Sequence, residues 1–120
     1  MNFEVEYTDE FGPWWEHLNE GEQESIDAII DLLMEDGPQL KFPYRSKIRG
    51  SKPSHLRELR IPHKGHPYRI LDAFDPRRIA ILLIGGNQTG KDDWYETWIP
   101  LADKLYHEHL KTLAEENDYG

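Results

Sequence analysis

The sequence predicts an α+β fold: a small, mostly antiparallel sheet made of an N-terminal strand plus a three-strand meander, with two N-terminal helices and a C-terminal helix. Three observations predict it. Segments 55–61, 66–74 and 78–85 are apolar and rich in β-branched residues, and the short connectors Pro62-His63-Lys64-Gly65 and Asp75-Pro76-Arg77 are turns rather than crossovers. Apolar residues before and after them recur at helical spacing. The chain of 120 residues suffices for one core and is too short for two, so residues 1–120 are expected to form one domain.

Phe3, Val5 and Tyr7 alternate with Asn2, Glu4 and Glu6, which predicts an opening strand with one buried face. Thr8 or Asp9 then caps a short helix carrying Phe11, Trp14, Trp15 and Leu18, with Pro13 tolerable in its first turn. Asn19 caps a second helix, whose early acidic residues suit a helix N-terminus. Ile26, Ile29, Ile30, Leu33 and Met34 form its apolar stripe, and Gly37-Pro38 ends it. Residues 40–54 read as an irregular basic loop, because Pro43, Gly50 and Pro53 interrupt Lys41, Arg45, Lys47, Arg49 and Lys52.

In the last strand of the meander both alternating sets are apolar, Ile79, Ile81 and Leu83 against Ala80, Leu82 and Ile84. It therefore belongs at the centre of the sheet with both faces covered. Residues 85–91 read as a loop. Trp94, Trp98, Leu101, Ala102, Leu105, His109 and Leu113 mark a closing helix that Pro100 breaks or kinks near its start, and residues 115–120 read as a loose tail.

The absence of cysteine excludes disulfides, thiolate metal sites and a cysteine nucleophile. The longest apolar run, residues 79–84, is far short of a membrane span, and residues 1–10 lack the pattern of a secretory signal, so a cytoplasmic protein without membrane contact is expected. The net charge of −9 is segregated. Residues 1–40 hold 12 acidic and no Lys or Arg residues, residues 41–91 hold 12 Lys and Arg against Glu58, Asp72 and Asp75, and residues 92–120 hold eight acidic residues against two lysines. Three local carboxylates cannot satisfy 12 cations, so the middle of the chain needs either an external anion or the acidic termini.

Gly85-Gly86-Asn87-Gln88-Thr89-Gly90-Lys91 matches the core of a phosphate-binding P-loop, but Asp92 stands where a hydroxyl must reach magnesium, and a meander is the wrong scaffold. His63 and His66 lack a third ligand, while His107 and His109, two apart on a helix, do not share a face, so no metal or other cofactor is expected. No nucleophile elbow and no glycosidase-like carboxylate pair is present. The remaining candidate is a cluster of arginines on adjacent strands, able to clamp a phosphodiester together or to pair with nearby carboxylates.

The strings Arg57-Glu58-Leu59-Arg60, Tyr68-Arg69-Ile70-Leu71, Ala73-Phe74-Asp75 and Gly85-Gly86-Asn87-Gln88-Thr89-Gly90, set in this order of elements, resemble the phage-associated HigB-type branch of the RelE/ParE toxin superfamily, from Phe3 to about Leu110. The resemblance implies a RelE-like fold and the toxin of a type II toxin–antitoxin system. It implies a metal-independent endoribonuclease that cuts mRNA on the ribosome by attack of a ribose 2′-OH on the adjacent phosphate. The partner it implies is a small helix-turn-helix antitoxin of the HigA type. Such a step needs a base, a cation for the phosphorane and an acid for the leaving oxygen. By this resemblance Arg69, Arg60, Lys91 and Tyr95 are the catalytic candidates, and the basic loop and strand cluster themselves make Arg57, His55, Lys47, Arg49, Arg77 and Arg78 the RNA-binding ones. His55 is also a candidate base, because an unperturbed imidazole titrates near pH 6.5.

Two features depart from the family pattern: the chain is acidic overall, and Glu58 stands where some relatives carry lysine. Two other functions fit the same fold. One is a ParE-like topoisomerase inhibitor that does no chemistry and acts through its terminal helix; the other is a catalytically inactive protein that only binds an antitoxin.

Overall fold

The computed structural model describes residues 2–48, 55–91 and 93–117. Its order of elements is β1 (Val5–Tyr7), α1 (Phe11–Glu16), α2 (Glu20–Asp36), a 3-10 turn (Gly37–Gln39), β2 (Arg45–Lys47), β3 (Arg57–His63), β4 (His66–Phe74), β5 (Ala80–Asn87) and α3 (Trp94–Asn117). Among the described residues the sheet has five strands in the order β1-β5-β4-β3-β2. β1 runs parallel to β5 and every other pairing is antiparallel.

The doubly apolar β5 lies inside the sheet with residues 80–84 all buried, as its two alternating sets require. On one face Leu59, Ile61, Tyr68, Ile70 and Leu82 pack with Phe11 of α1 and with Ile26, Ile29 and Leu33 of α2. On the other, Leu71, Ala73, Ile81 and Leu83 pack with Trp94, Ala102, Leu105 and Tyr106 of α3. Asn19 caps α2 through a reciprocal pair of bonds with Glu22, each 2.8 Å long. Gly37, at φ +62°, ends the helix in a left-handed turn that its missing side chain permits. At α1 the Thr8 hydroxyl, rather than Asp9, accepts the Phe11 N–H.

Several expectations are corrected. The segment read as an irregular basic loop contains β2, whose Arg45, Ser46 and Lys47 pair with Leu59, Glu58 and Arg57. No hydrophobic alternation marks it, because its inward residue is an arginine: Arg45 is buried and donates to the fully buried Asp72 at 2.6 Å, with its guanidinium over the Phe74 ring. β3 starts at Arg57, not at residue 55, and runs on through Pro62. That proline is tolerated because β2 pairs only with Arg57–Leu59 and the further edge bond, from the Arg60 N–H to the Tyr44 carbonyl, falls before it.

β5 runs through Gly85 and Gly86 to Asn87. A Cβ on either glycine would strike a tryptophan ring, Trp14 on one face and Trp94 on the other. Tyr7 is 66% exposed, so the alternation of β1 does not bury its last ring. α3 continues through Pro100 without a break and reaches Asn117, so residues 115–117 of the expected tail are helical. Packing of Leu101, Ala102, Leu105 and Tyr106 around the sheet, together with a bond from the Tyr106 hydroxyl to the Phe74 carbonyl, holds the helix together across the missing proline N–H. Among the described residues no helix is long and apolar enough to cross a membrane.

Candidate active site

Side chains alternate along a strand, so Glu58, Arg60 and Pro62 share one face of β3 while Leu59 and Ile61 point into the α2 core. Register places Arg60 directly opposite Arg69 of β4, with Pro62 opposite Pro67. Two like charges facing each other across an antiparallel pair are unfavourable unless an anion lies near. Glu58 supplies part of that charge. Its buried carboxylate accepts from Arg60 Nη1 at 2.9 Å, from Ser46 Oγ of β2 at 3.2 Å and from the Tyr95 hydroxyl of α3 at 2.5 Å.

Arg69 donates through Nη1 to the Tyr68 carbonyl, and its buried Nε has no hydrogen-bond partner among the described residues. Burial, and then the carboxylate of Glu58, push the Tyr95 hydroxyl above its ordinary pKa, while Arg69 beside it pulls the other way. The phenol therefore stays protonated at neutral pH and acts as a donor.

A hollow of about 480 Å³ opens over this group, lined by Ser46, Lys47, Glu58, Arg60 and Tyr95, with Phe42 on its border. Phe42 and Arg60 also border a neighbouring hollow of about 420 Å³ that reaches Arg69. Together they give a shallow surface with two guanidinium groups, one carboxylate and one phenol, a combination that can bind a phosphodiester and move a proton beside it.

Of the residues singled out in the sequence, Arg60, Arg69 and Tyr95 come together here and Lys47 borders them. The others are placed elsewhere. Arg57, three positions from Arg60, falls on the opposite face of β3, opposite Asp72 in the register, and donates to the Leu56 carbonyl. Lys91 lines a separate hollow with Trp14, Asn87 and Trp94. His55 stacks against Tyr106 of α3 at 4.6 Å, with Nε2 3.6 Å from Asp103.

Arg77 is bound by Asp75 at 2.7 Å and Glu6 at 2.8 Å at the far end of the β4–β5 hairpin, and Arg78 lies over the Phe3 ring. Arg49 lies outside the described residues. Sequence reasoning missed Glu58, Ser46 and Phe42 as site residues. Glu58 could have been found, since its position two before Arg60 fixes both on one face of a strand. Among the described residues no group of three or more His, Asp or Glu residues is placed to hold a metal ion. His63 instead bonds Ser25, His66 bonds Thr89 and His109 bonds Asp75.

The family model described as phage derived protein Gp49-like (DUF891) matches residues 13–107, spanning every element from α1 to the middle of α3. The chain belongs to this family. Among its relatives, the putative toxin HigB2 of Mycobacterium tuberculosis is 38% identical over 104 residues, which are 85% of this chain and 52% of the relative. The putative toxin HigB3 of the same organism is 42% identical over 92 residues, 76% of this chain and 79% of the relative. The chain thus spans about half the length of HigB2.

An arginine-to-alanine double mutant of E. coli toxin RelE in the free state superposes with a TM-score of 0.56 at 14% identity, covering 80% of this chain and 94% of that one. The intact E. coli RelBE toxin–antitoxin complex matches with a TM-score of 0.52 at 14% identity, covering 72% and 95%. At that identity the likeness speaks to the fold, which is RelE-like α+β. The resemblance of this Gp49-like chain to HigB-type toxins is borne out, and so is its RelE-like fold class.

Proposed function

We propose that this Gp49-like protein is the toxin of a type II toxin–antitoxin system, a metal-independent endoribonuclease that cuts mRNA on the ribosome and is neutralised by a helix-turn-helix antitoxin. The relatives named putative toxins support the toxin reading, and the juxtaposition of Arg60 and Arg69 beside the Glu58–Tyr95 pair carries the chemical one. Arg60 and Arg69 grip the phosphate and offset the charge that builds up on the phosphorane, which is the work a metal ion would otherwise do. Arginine cannot give up its proton at neutral pH, so the base must be another group. Glu58 takes the 2′-OH proton, the 2′-oxygen forms its bond to phosphorus, the bond to the 5′-oxygen breaks, and Tyr95 protonates that leaving oxygen. The products are a 2′,3′-cyclic phosphate and a 5′-OH. Glu58 then returns the proton to Tyr95 along their shared hydrogen bond.

Expression of the unmodified chain and of Arg69→Ala in bacterial cells tests this. The expected result is growth arrest with new transcript ends bearing 5′-OH groups, both absent in the variant. Arrest with DNA damage and intact transcripts would instead support a topoisomerase inhibitor, and no arrest at all would support a protein that only binds an antitoxin.

A further inference from the structure

Arg60 and Arg69 provide for a phosphate, but the hollow beside them has a different chemistry. On the sheet face that carries the two arginines, the next cross-strand pair is Pro62 and Pro67, and Phe42 with Pro43 stands over the floor from the segment before β2. Three proline rings offer flat apolar surface and no N–H. Phe42 is 69% exposed, the most exposed of the large apolar side chains among the described residues, although it follows the buried Leu40 by only two positions. Its ring is not loose on the surface: the Arg60 guanidinium lies 5.3 Å from the ring centroid, a cation–π contact that fixes the ring beside the charge pair.

We infer that this hollow is a nucleobase subsite, in which a base of a single-stranded RNA stacks on Phe42 against the Pro62–Pro67 floor while its own phosphate lies on Arg60 and Arg69. The inference rests on the phosphate-clamp reading of the two arginines given above. Two observations favour a nucleobase over other occupants. The apolar shelf and the cations are adjacent within one hollow, as base and phosphate are within one nucleotide. The shelf is also built from the rings of Phe42, Pro43, Pro62 and Pro67, which suit a planar group, and every base has a π-face to lay on such rings. A base in a duplex has its faces covered, so the strand is single. Stacking of this kind tolerates any base identity, and the subsite places the strand without reading its sequence.

The test uses the full chain and two fluorescent probes: a single-stranded oligoribonucleotide of mixed sequence carrying one 2-aminopurine, and a ribose-phosphate strand of equal length lacking its bases. Phe42→Ala, Phe42→Leu and Phe42→Trp are compared with the unmodified chain. Phe42→Ala is expected to weaken binding of the oligoribonucleotide by about 5- to 150-fold and to abolish quenching of 2-aminopurine, with no change on the base-free strand. Phe42→Leu should behave like alanine in the quenching, and Phe42→Trp should restore both signals. Unchanged affinity and quenching in Phe42→Ala would overturn the subsite while leaving the clamp intact, and so would an equal loss on both strands. Failure of the unmodified chain to bind either strand would overturn the clamp and the subsite together.

Discussion

The Tyr95 hydroxyl donates to Glu58 Oε2 across 2.5 Å, joining the first turn of α3 to the start of β3 and placing a protonated phenol against the one carboxylate that Arg60 also holds. Because burial and Glu58 both raise the Tyr95 pKa, the phenol keeps its proton at neutral pH and donates a hydrogen bond to the Glu58 carboxylate. Glu58→Gln keeps the shape and removes the base. It is expected to cut the rate of RNA cleavage by about 10²-fold or more while changing RNA affinity little, as single-turnover kinetics beside equilibrium binding would show. Tyr95→Phe should lower the same rate with the fold retained.

Arg69 and Arg77 are both arginines of the basic segment, yet only one faces the hollow. Each phosphate neutralised on a single strand contributes about 0.7 to the slope of log affinity against log salt. Arg69→Ala is therefore expected to make that slope shallower by about 0.7. Arg77→Ala, which frees Asp75 and Glu6 at the other end of the hairpin, should leave the slope unchanged. Binding of a fluorescent oligoribonucleotide across a salt series measures both.

The contrast shows which parts of the molecule are legible in its sequence. The β4–β5 hairpin is legible because turn residues bracket two apolar runs, and α2 because Asn19 and Gly37 mark its ends. β2 is not, because its inward residue is Arg45, whose partner Asp72 is distant in sequence and is chosen by the fold. Charge counting gathers 12 cations into one segment but says nothing about faces. The odd spacing of Arg57 and Arg60 already separates them across a strand, whereas the capture of Arg77 by Glu6 and Asp75 becomes visible only once β1 lies beside β5.

Gly85 and Gly86 belong to β5 because two tryptophans need the space. A Cβ at Gly85 would enter the Trp14 ring and one at Gly86 the Trp94 ring, and neither neighbour is the free end of a flexible chain. Gly85→Ala and Gly86→Ala are each expected to destabilise the protein by about 1–3 kcal/mol, read as a drop in the urea midpoint at unchanged slope.

Arg45 and Asp72 form a pair with side chains 5% and 0% exposed. Burial pushes the Asp72 carboxyl above its usual range, against the opposing pull of Arg45 and Arg57. Arg45→Met leaves that carboxylate without its main partner, at a cost of about 3–5 kcal/mol. The double variant Arg45→Met with Asp72→Leu should recover most of the loss, and a double-mutant cycle in urea measures the difference.

Asp75 makes stability depend on pH. Burial raises its pKa, but Arg77, His109 and the backbone N–H groups of Ile79 and Arg77 outweigh that and hold it below the ordinary aspartate value. A carboxyl whose folded pKa is depressed contributes stability above its unfolded pKa of about 3.9 and loses it as the pH falls through the folded value. Asp75→Asn should therefore be less stable than the unmodified chain at pH 5–7, and the gap should narrow as the pH falls below about 4 toward the lower folded pKa, because the unfolded chain takes up its proton first. Urea midpoints collected between pH 2 and pH 7 test this, and a gap that stayed constant across the range would mean that the Asp75 charge contributes nothing to holding α3 against the β4–β5 turn.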